Sequence, residues 1–283
     1  MTTHQNERKE KTSGLAATVE AMQRRALVKG RDKKTDDSVQ LPLWPAEMRA
    51  IPNDYARSAL FTVRNKKTPR AAMMSHEIFH VNQEVQISFT GIELRADDDE
   101  LVWQQVLEYA KHFPLGTPIP FTMYQLCMDL GWPINGRYYK RAEECLDRLQ
   151  ASAIKFVSKR IGRLDSLSMI KRYRMVGLGS RGAHCEVEID EEMVYLFAGH
   201  HYTQVVWSKY RKLSPISRRL FDYMASHKEP YPLALETFNR MCASLCSRPK
   251  KWAEMVREAC DELKQAGLVE AAWVHEGMIL SQR

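Results

Sequence analysis

Three short strings in this chain of 283 residues hold residue types that do chemistry in other proteins, and each fails on spacing or on context. Gly177-Leu-Gly-Ser-Arg-Gly182 matches the dinucleotide fingerprint G-x-G-x-x-G. That fingerprint needs a strand before it and a helix after it, so that a pyrophosphate meets the helix N-terminus. Here the alternating run Cys185-Glu-Val-Glu-Ile189 follows, which predicts a strand and makes the glycines a turn between strands. His200-His201-Tyr202 combines two histidines with a tyrosine, as metal-dependent nicking enzymes do. Adjacent side chains on a strand point to opposite faces, so these two cannot share a metal. Cys242 and Cys246 lie one helical turn apart, with no second ligand pair at zinc spacing. Most of the six cysteines fall on predicted apolar helix faces, where a reduced thiol acts as a small hydrophobe. There is no Walker loop, and neither Asp222 nor the scattered glutamates form a paired-carboxylate pattern. We expect no catalytic residue, no metal and no cofactor, and hence not an enzyme.

The chemistry that remains is electrostatic. Forty-two Lys and Arg against 35 Asp and Glu give a net charge of +7 and a pI near 9.0, a balance that favours polyanionic partners. No apolar run approaches the roughly 20 residues of a membrane helix. Met1-Thr-Thr-His-Gln-Asn-Glu lacks the charged and apolar regions of a secretory signal. Nucleic acid is the expected partner and a membrane is not; the cytoplasm is the expected location.

The cations concentrate on two predicted helices and on the segment after the first. Over Arg137–Ser152, Ala142, Leu146, Leu149 and Ala153 recur at helical spacing and define a buried stripe. Arg137, Arg141 and Arg148 fall along one flank of it, with Lys140 on the same helix, while Glu143 and Asp147 fall on the other flank. A soluble helix with solvated arginines is the plainer alternative; segregated charge suits a helix beside a phosphate chain. Over Lys250–Ala266 the stripe is Trp252, Val256, Cys260 and Leu263. Groove-reading helices use their N-terminal half, which singles out Arg248, Lys250, Lys251 and Arg257. Lys155, Lys159, Arg160, Arg163, Lys171, Arg172 and Arg174 make the strands after the first helix basic, a pattern that suits hairpins holding adjacent phosphates. Arginine paired with guanine is the generic base contact.

The elements that must position these residues occur twice in one order: short apolar helix, turn, longer helix with a basic edge, strand. The copies run from Phe121 through Val157 and from Leu233 through Val274, and Leu149-Gln-Ala-Ser-Ala-Ile154 parallels Leu263-Lys-Gln-Ala-Gly-Leu268. They lie too far apart for a solenoid and suit two small domains. A helix-turn-helix followed by a hairpin is a winged helix, whose second helix enters the major groove. The expected fold is α+β, with two winged-helix domains in tandem. Residues 1–52 form a disordered, flexible N-terminal tail, 53–203 the first domain and 204–283 the second. Ile154–Val157 and Met169–Val176 are the predicted wing strands, with Cys185–Ile189 a third. Asp97-Asp-Asp-Glu100 marks a helix start, Trp207–His227 a helix interrupted at Ser214-Pro215, and Gly267 a helix end. Arg57, Arg64, Lys66, Lys67 and Arg70 give a basic stretch that could hold an exposed single strand.

Gln40-Leu-Pro-Leu-Trp44 resembles the Q-L-x-L-F pentapeptide by which replication and repair proteins dock on the bacterial sliding clamp. Leu41, Leu43 and Trp44 would offer an apolar strip and Gln40 directional hydrogen bonds; alternatively, Leu43 and Trp44 pack back onto the first domain. From about Asp54 onward the chain resembles the TrfA-type, iteron-binding plasmid replication initiators. The strings Gly131-Trp-Pro-Ile-Asn-Gly-Arg-Tyr-Tyr-Lys140, Gly199-His-His-Tyr202 and Leu213-Ser-Pro-Ile-Ser-Arg-Arg-Leu220 carry that resemblance. It implies paired winged helices that bind origin repeats in double-stranded DNA as monomers, with an inhibitory dimer of the chain with itself. It also implies opening of an AT-rich segment, with single-stranded DNA as a further ligand, and recruitment of the host initiator protein, replicative helicase and sliding clamp. A double winged-helix repressor that melts nothing is the competing class.

Overall fold

The computed structural model describes residues 39–282, and the first of these are pressed against a central helix. β1 (Met48–Pro52) and α1 (Asn53–Ala56) lead through β2 (Phe61–Thr62) to the antiparallel pair β3 (Ala72–Ile78) and β4 (Gln86–Ile92), then β5 (Leu94–Arg95). α2 (Asp99–Ala110) follows, buried along its whole length. The Asp98 side chain accepts from the Asp99 N–H at its start, where carboxylates also meet the positive end of the helix dipole. β6 (Ile119–Phe121), α3 (Met123–Leu130) and α4 (Gly136–Gln150) come next. Thr122 caps α3 through the Gln125 N–H, Gly131 ends it in the left-handed region at φ 70°, and Asn135 caps α4 through the Tyr138 N–H.

The hairpin β7 (Ala153–Ser158) and β8 (Gly162–Leu167) follows α4, then β9 (Arg172–Val176) and β10 (His184–Glu188). α5 (Val194–Phe197), β11 (Tyr202–Val206) and α6 (Trp207–Tyr210) connect to α7 (Pro215–Ala225). The chain closes with β12 (Leu233–Ala234), α8 (Leu235–Met241), α9 (Pro249–Gln265), β13 (Ala271–His275) and β14 (Met278–Gln282). Glu276 and Gly277, both at positive φ, make the two-residue turn that right-twisted hairpins favour.

The same six elements therefore occur twice, as α2-β6-α3-α4-β9-β10 and α7-β12-α8-α9-β13-β14. In both, the lone strand pairs with the last strand of the hairpin, giving the sheet orders β6-β10-β9 and β12-β14-β13. The first copy carries an insertion, because β7 and β8 complete a four-stranded sheet β3-β4-β7-β8.

Three expectations need correction. β7 does not pair with β9 as a wing strand; it lies between β4 and β8, and only β9 and β10 form the hairpin of the first copy. Residues 39–52 are not tail: β1 pairs antiparallel with β11 and Leu41, Ala50 and Ile51 enter the core, while residues 1–38 lie outside the described part. The same pairing means that the expected boundary between 203 and 204 falls inside a strand.

Candidate nucleic-acid interface

Ala142, Cys145, Leu146 and Leu149 bury one side of α4, which fixes what the other sides present. At about 100° per residue, Arg137 and Lys140 lie opposite that stripe on the first turns, both exposed and with no ion pair among the described residues. Glu143, Glu144 and Asp147 occupy the exposed side of the later turns. The outer face of α4 is thus cationic where the helix begins and anionic beyond.

Arg141 and Arg148 do not join that face, contrary to expectation. Arg141 Nη2 lies 2.6 Å from Asp97 Oδ2 and 3.4 Å from Asp98 Oδ2, with its guanidinium 4.7 Å from the centre of the Trp132 ring. Arg148 reaches Asp99 at 2.9 Å, and its side chain is only 14% exposed. Arg70 joins them, 2.7 Å from Asp98 and 2.6 Å from Asp99. Burial opposes the charged form of Asp98, but Arg70, Arg141 and Arg148 outweigh it and hold its carboxyl below the usual range. Burial and the adjacent Asp98 charge push Asp99 the other way, to about 6. Arg141 and Arg148 therefore anchor α4 to the start of α2, and Arg70 ties the segment before β3 to the same aspartates. Asp98, Asp99 and Cys145 form the one grouping of possible metal ligands among the described residues, and the guanidinium groups already occupy its carboxylates. Beside this cluster, Lys66, Arg70, Arg137 and Lys140 line a cleft of about 470 Å³ at the first turns of α4, with Asp97, Asp98 and Glu144 as its acids.

α9 repeats the pattern. Trp252, Val256, Ala259, Cys260 and Leu263 are buried, and Trp252 Nε1 donates to the Leu235 carbonyl of α8 at 2.8 Å. Arg248 precedes the helix, and Lys250 and Lys251 sit exposed on its first turn, with Lys251 3.3 Å from Glu254. Glu254, Glu258 and Asp261 are exposed further along, and Arg257 lies exposed on the flank.

The expected hairpin cations divide. Lys155 points outward from β7 and Lys171 is exposed just before β9, both with no ion pair among the described residues. Arg163 pairs with Asp165 at 2.7 Å and Arg172 with Glu188 at 2.6 Å, each more than half exposed. Arg160 is the clear exception: its guanidinium lies 2.7 Å from Asp54 and donates to the carbonyls of Tyr195 and Ala198, so it fastens the β7–β8 turn to the body. In the basic stretch before β3, Arg57 binds Ser226, Arg64 lies 3.5 Å from Glu93 and Arg70 belongs to the aspartate cluster. Only Lys66 and Lys67 there are exposed, so the stretch is not an open cationic strip for a single strand.

The pentapeptide at 40–44 is folded in. Leu41 is 2% and Trp44 5% exposed, against 69% for Leu43. Trp44 Nε1 donates to Glu108 Oε2 at 2.6 Å, Lys111 Nζ donates to the Trp44 carbonyl at 2.7 Å, and the Trp44 ring stacks on Phe197. Gln40 Nε2 donates to the Lys111 carbonyl. The expected apolar strip for a sliding clamp is thus the inner side of a strap along α2. Of the two residues expected to pack back in the alternative, Trp44 does so and Leu43 does not.

The family described as TrfA protein matches residues 7–283. The Escherichia coli plasmid replication initiator protein TrfA is 58% identical over 283 residues, spanning 98% of this chain and 74% of that protein. The chain belongs to the TrfA family of plasmid replication initiator proteins. Among solved structures, domains 2 and 3 of RctB share its fold with a TM-score of 0.54 at 10% identity, covering 81% of this chain and 96% of that one.

In this TrfA-family chain sequence reasoning missed one exposed cation, Arg181, and placed another, Lys66, in a different setting. Arg181 stands in the glycine turn between β9 and β10, beside the exposed Leu178, and Lys66 faces the first turns of α4 from a distant loop. The first was legible, since an arginine in a glycine-rich turn between strands sits at a hairpin tip. Lys66 was not, because only the fold brings residue 66 beside residue 140.

Proposed function

We propose that the chain initiates plasmid replication by binding direct repeats at the origin as a monomer, through two winged-helix units. The observation that carries this is the shared outward charge of α4 and α9, each cationic on its first turns with acids outward behind, while Arg257 and Lys264 continue along one flank of α9. A helix so charged enters a major groove by its N-terminal end and keeps its later turns away from the phosphates. Arg137 and Lys140 serve the first unit, and Arg248, Lys250, Lys251 and Arg257 the second. Lys155, Lys171, Arg172 and Arg181 hold flanking phosphates. Membership of the TrfA family supports an origin as the target.

The bound array bends and strains the neighbouring duplex, so that an AT-rich segment opens at the expense of binding energy and supercoiling, without nucleotide hydrolysis. The protein acts in the cytoplasm, associated with its plasmid. The host initiator, the replicative helicase and a second copy of the chain in an inhibitory dimer are its proposed protein partners. The sliding clamp joins them only if residues 40–44 leave α2, since the docked strap buries Leu41 and Trp44. Permanganate footprinting on supercoiled origin plasmid tests the initiator role. Reactive thymines beside the protected repeats are expected; protection with no reactive thymine would identify a repressor instead.

A further inference from the structure

Each helix-turn-helix is gripped at its turn by residues from the other part of the chain. In the first, the Asp129 carbonyl at the end of α3 accepts from Trp207 Nε1 at 2.9 Å and from Arg211 Nη1 at 3.1 Å. Both donors lie in or just after α6, which leads into the second unit. Arg211 also lies so close to Gly131 that a Cβ there would meet its Nη1 at 2.4 Å. In the second, the Cys242 carbonyl at the end of α8 accepts from the Val63 N–H at 3.0 Å, and the Ala243 carbonyl from Arg64 Nε at 3.3 Å. Arg240 of α8 stacks over Phe79, 4.1 Å from the ring centre.

Between these grips lies a fully buried ion cluster. Arg219 of α7 reaches Glu100 of α2 at 2.9 Å and Asp222 at 2.8 Å, and its other nitrogen donates to the carbonyls of Tyr55, Ala56 and Ser58. Tyr210 links Asp222 to Gln104 of α2. A buried guanidinium with five directional partners holds the first helices of the two units in one relative placement, because any rotation strands charges away from water.

We propose that these contacts make the two units a ruler, with Arg64 and Arg211 as positioning residues that set the one half-site separation the chain accepts. The inference rests on the proposal that both units read one repeat. Each inserted base pair turns the second half-site by about 34° and moves it about 3.4 Å. A rigid pair loses its second engagement when geometry forbids it, and with it the avidity of two linked sites.

The experiment uses the full chain and the origin repeat of its own plasmid, located by footprinting. Duplexes carry one, two or five extra base pairs between the segments protected by the two units. The wild type should weaken progressively, by about 100-fold at five base pairs. Arg64→Ala with Arg211→Ala, which leaves the Arg219 cluster intact, should stay within about threefold at native spacing and lose at least about threefold less than the wild type at one inserted pair. If the alanine pair does not melt in one cooperative transition, Arg64→Gln with Arg211→Gln replaces it. Equal wild-type affinity for all spacings overturns the ruler while leaving repeat binding intact. A variant profile matching the wild type overturns the assignment to Arg64 and Arg211. Absence of any sequence-specific binding removes both the ruler and the function beneath it.

Discussion

Arg137 and Arg148 share a helix and a charge, yet the fold leaves one exposed and pairs the other with a buried carboxylate. Arg148 neutralises buried carboxylates, so Arg148→Ala should cost about 3 kcal/mol in denaturant unfolding and leave the salt dependence of DNA binding unchanged. Arg137→Ala should change stability by less than about 0.5 kcal/mol and reduce the salt slope by about one. A reversal of those outcomes would return Arg148 to the DNA face. Asp54 offers a test through pH. Burial raises its carboxyl pKa, but hydrogen bonds and charge from His201 and Arg160 outweigh burial and leave it below the ordinary value of 3.8. A carboxyl depressed in the folded state contributes stability that is complete above its unfolded value and lost as pH falls through the folded one. Asp54→Asn should therefore be about 2 kcal/mol less stable at pH 7, with the gap closing below about pH 4. A gap independent of pH would show that charge on Asp54 contributes nothing.

At the scale of elements, legibility followed local signals. Thr122, Gly131 and Asn135 mark their helix ends by chemistry that needs no tertiary contact, and the helices were placed to within a residue or two. β8 was missed because Gly162-Arg-Leu-Asp-Ser-Leu167 buries only Leu164 and Leu167, in a register fixed by pairing with β7. The charge of the arginine flank on α4 was visible, but its destination was not, because Asp97–Asp99 read as a helix start and their arginine partners lie far away in sequence. The strap at 39–44 shows the same limit: a motif is a string, and its availability depends on what the fold lays over it. Trp44→Ala should lower stability by about 3 kcal/mol, read as a fall in melting temperature. An unchanged melting temperature would mean that residues 40–44 do not dock on α2.

The whole molecule repeats one six-element plan, and the doubled order was readable because apolar stripes, turns and caps recur in the second copy. The insertion β7–β8, the pairing of β1 with β11 and the buried Arg219 cluster were not readable, since each depends on contacts between residues some sixty to a hundred and fifty positions apart. Together they make one body in which two similarly charged helix ends are held in fixed relation. The most direct measurement is the salt dependence of affinity for the origin repeat, wild type against Arg137→Ala, Lys140→Ala, Lys250→Ala and Lys251→Ala combined. Four lost phosphate contacts should lower the slope of log K against log salt by about 3.6, with the fold intact by circular dichroism. A slope equal to the wild type's, in a folded variant, would contradict the placement of both helices on DNA.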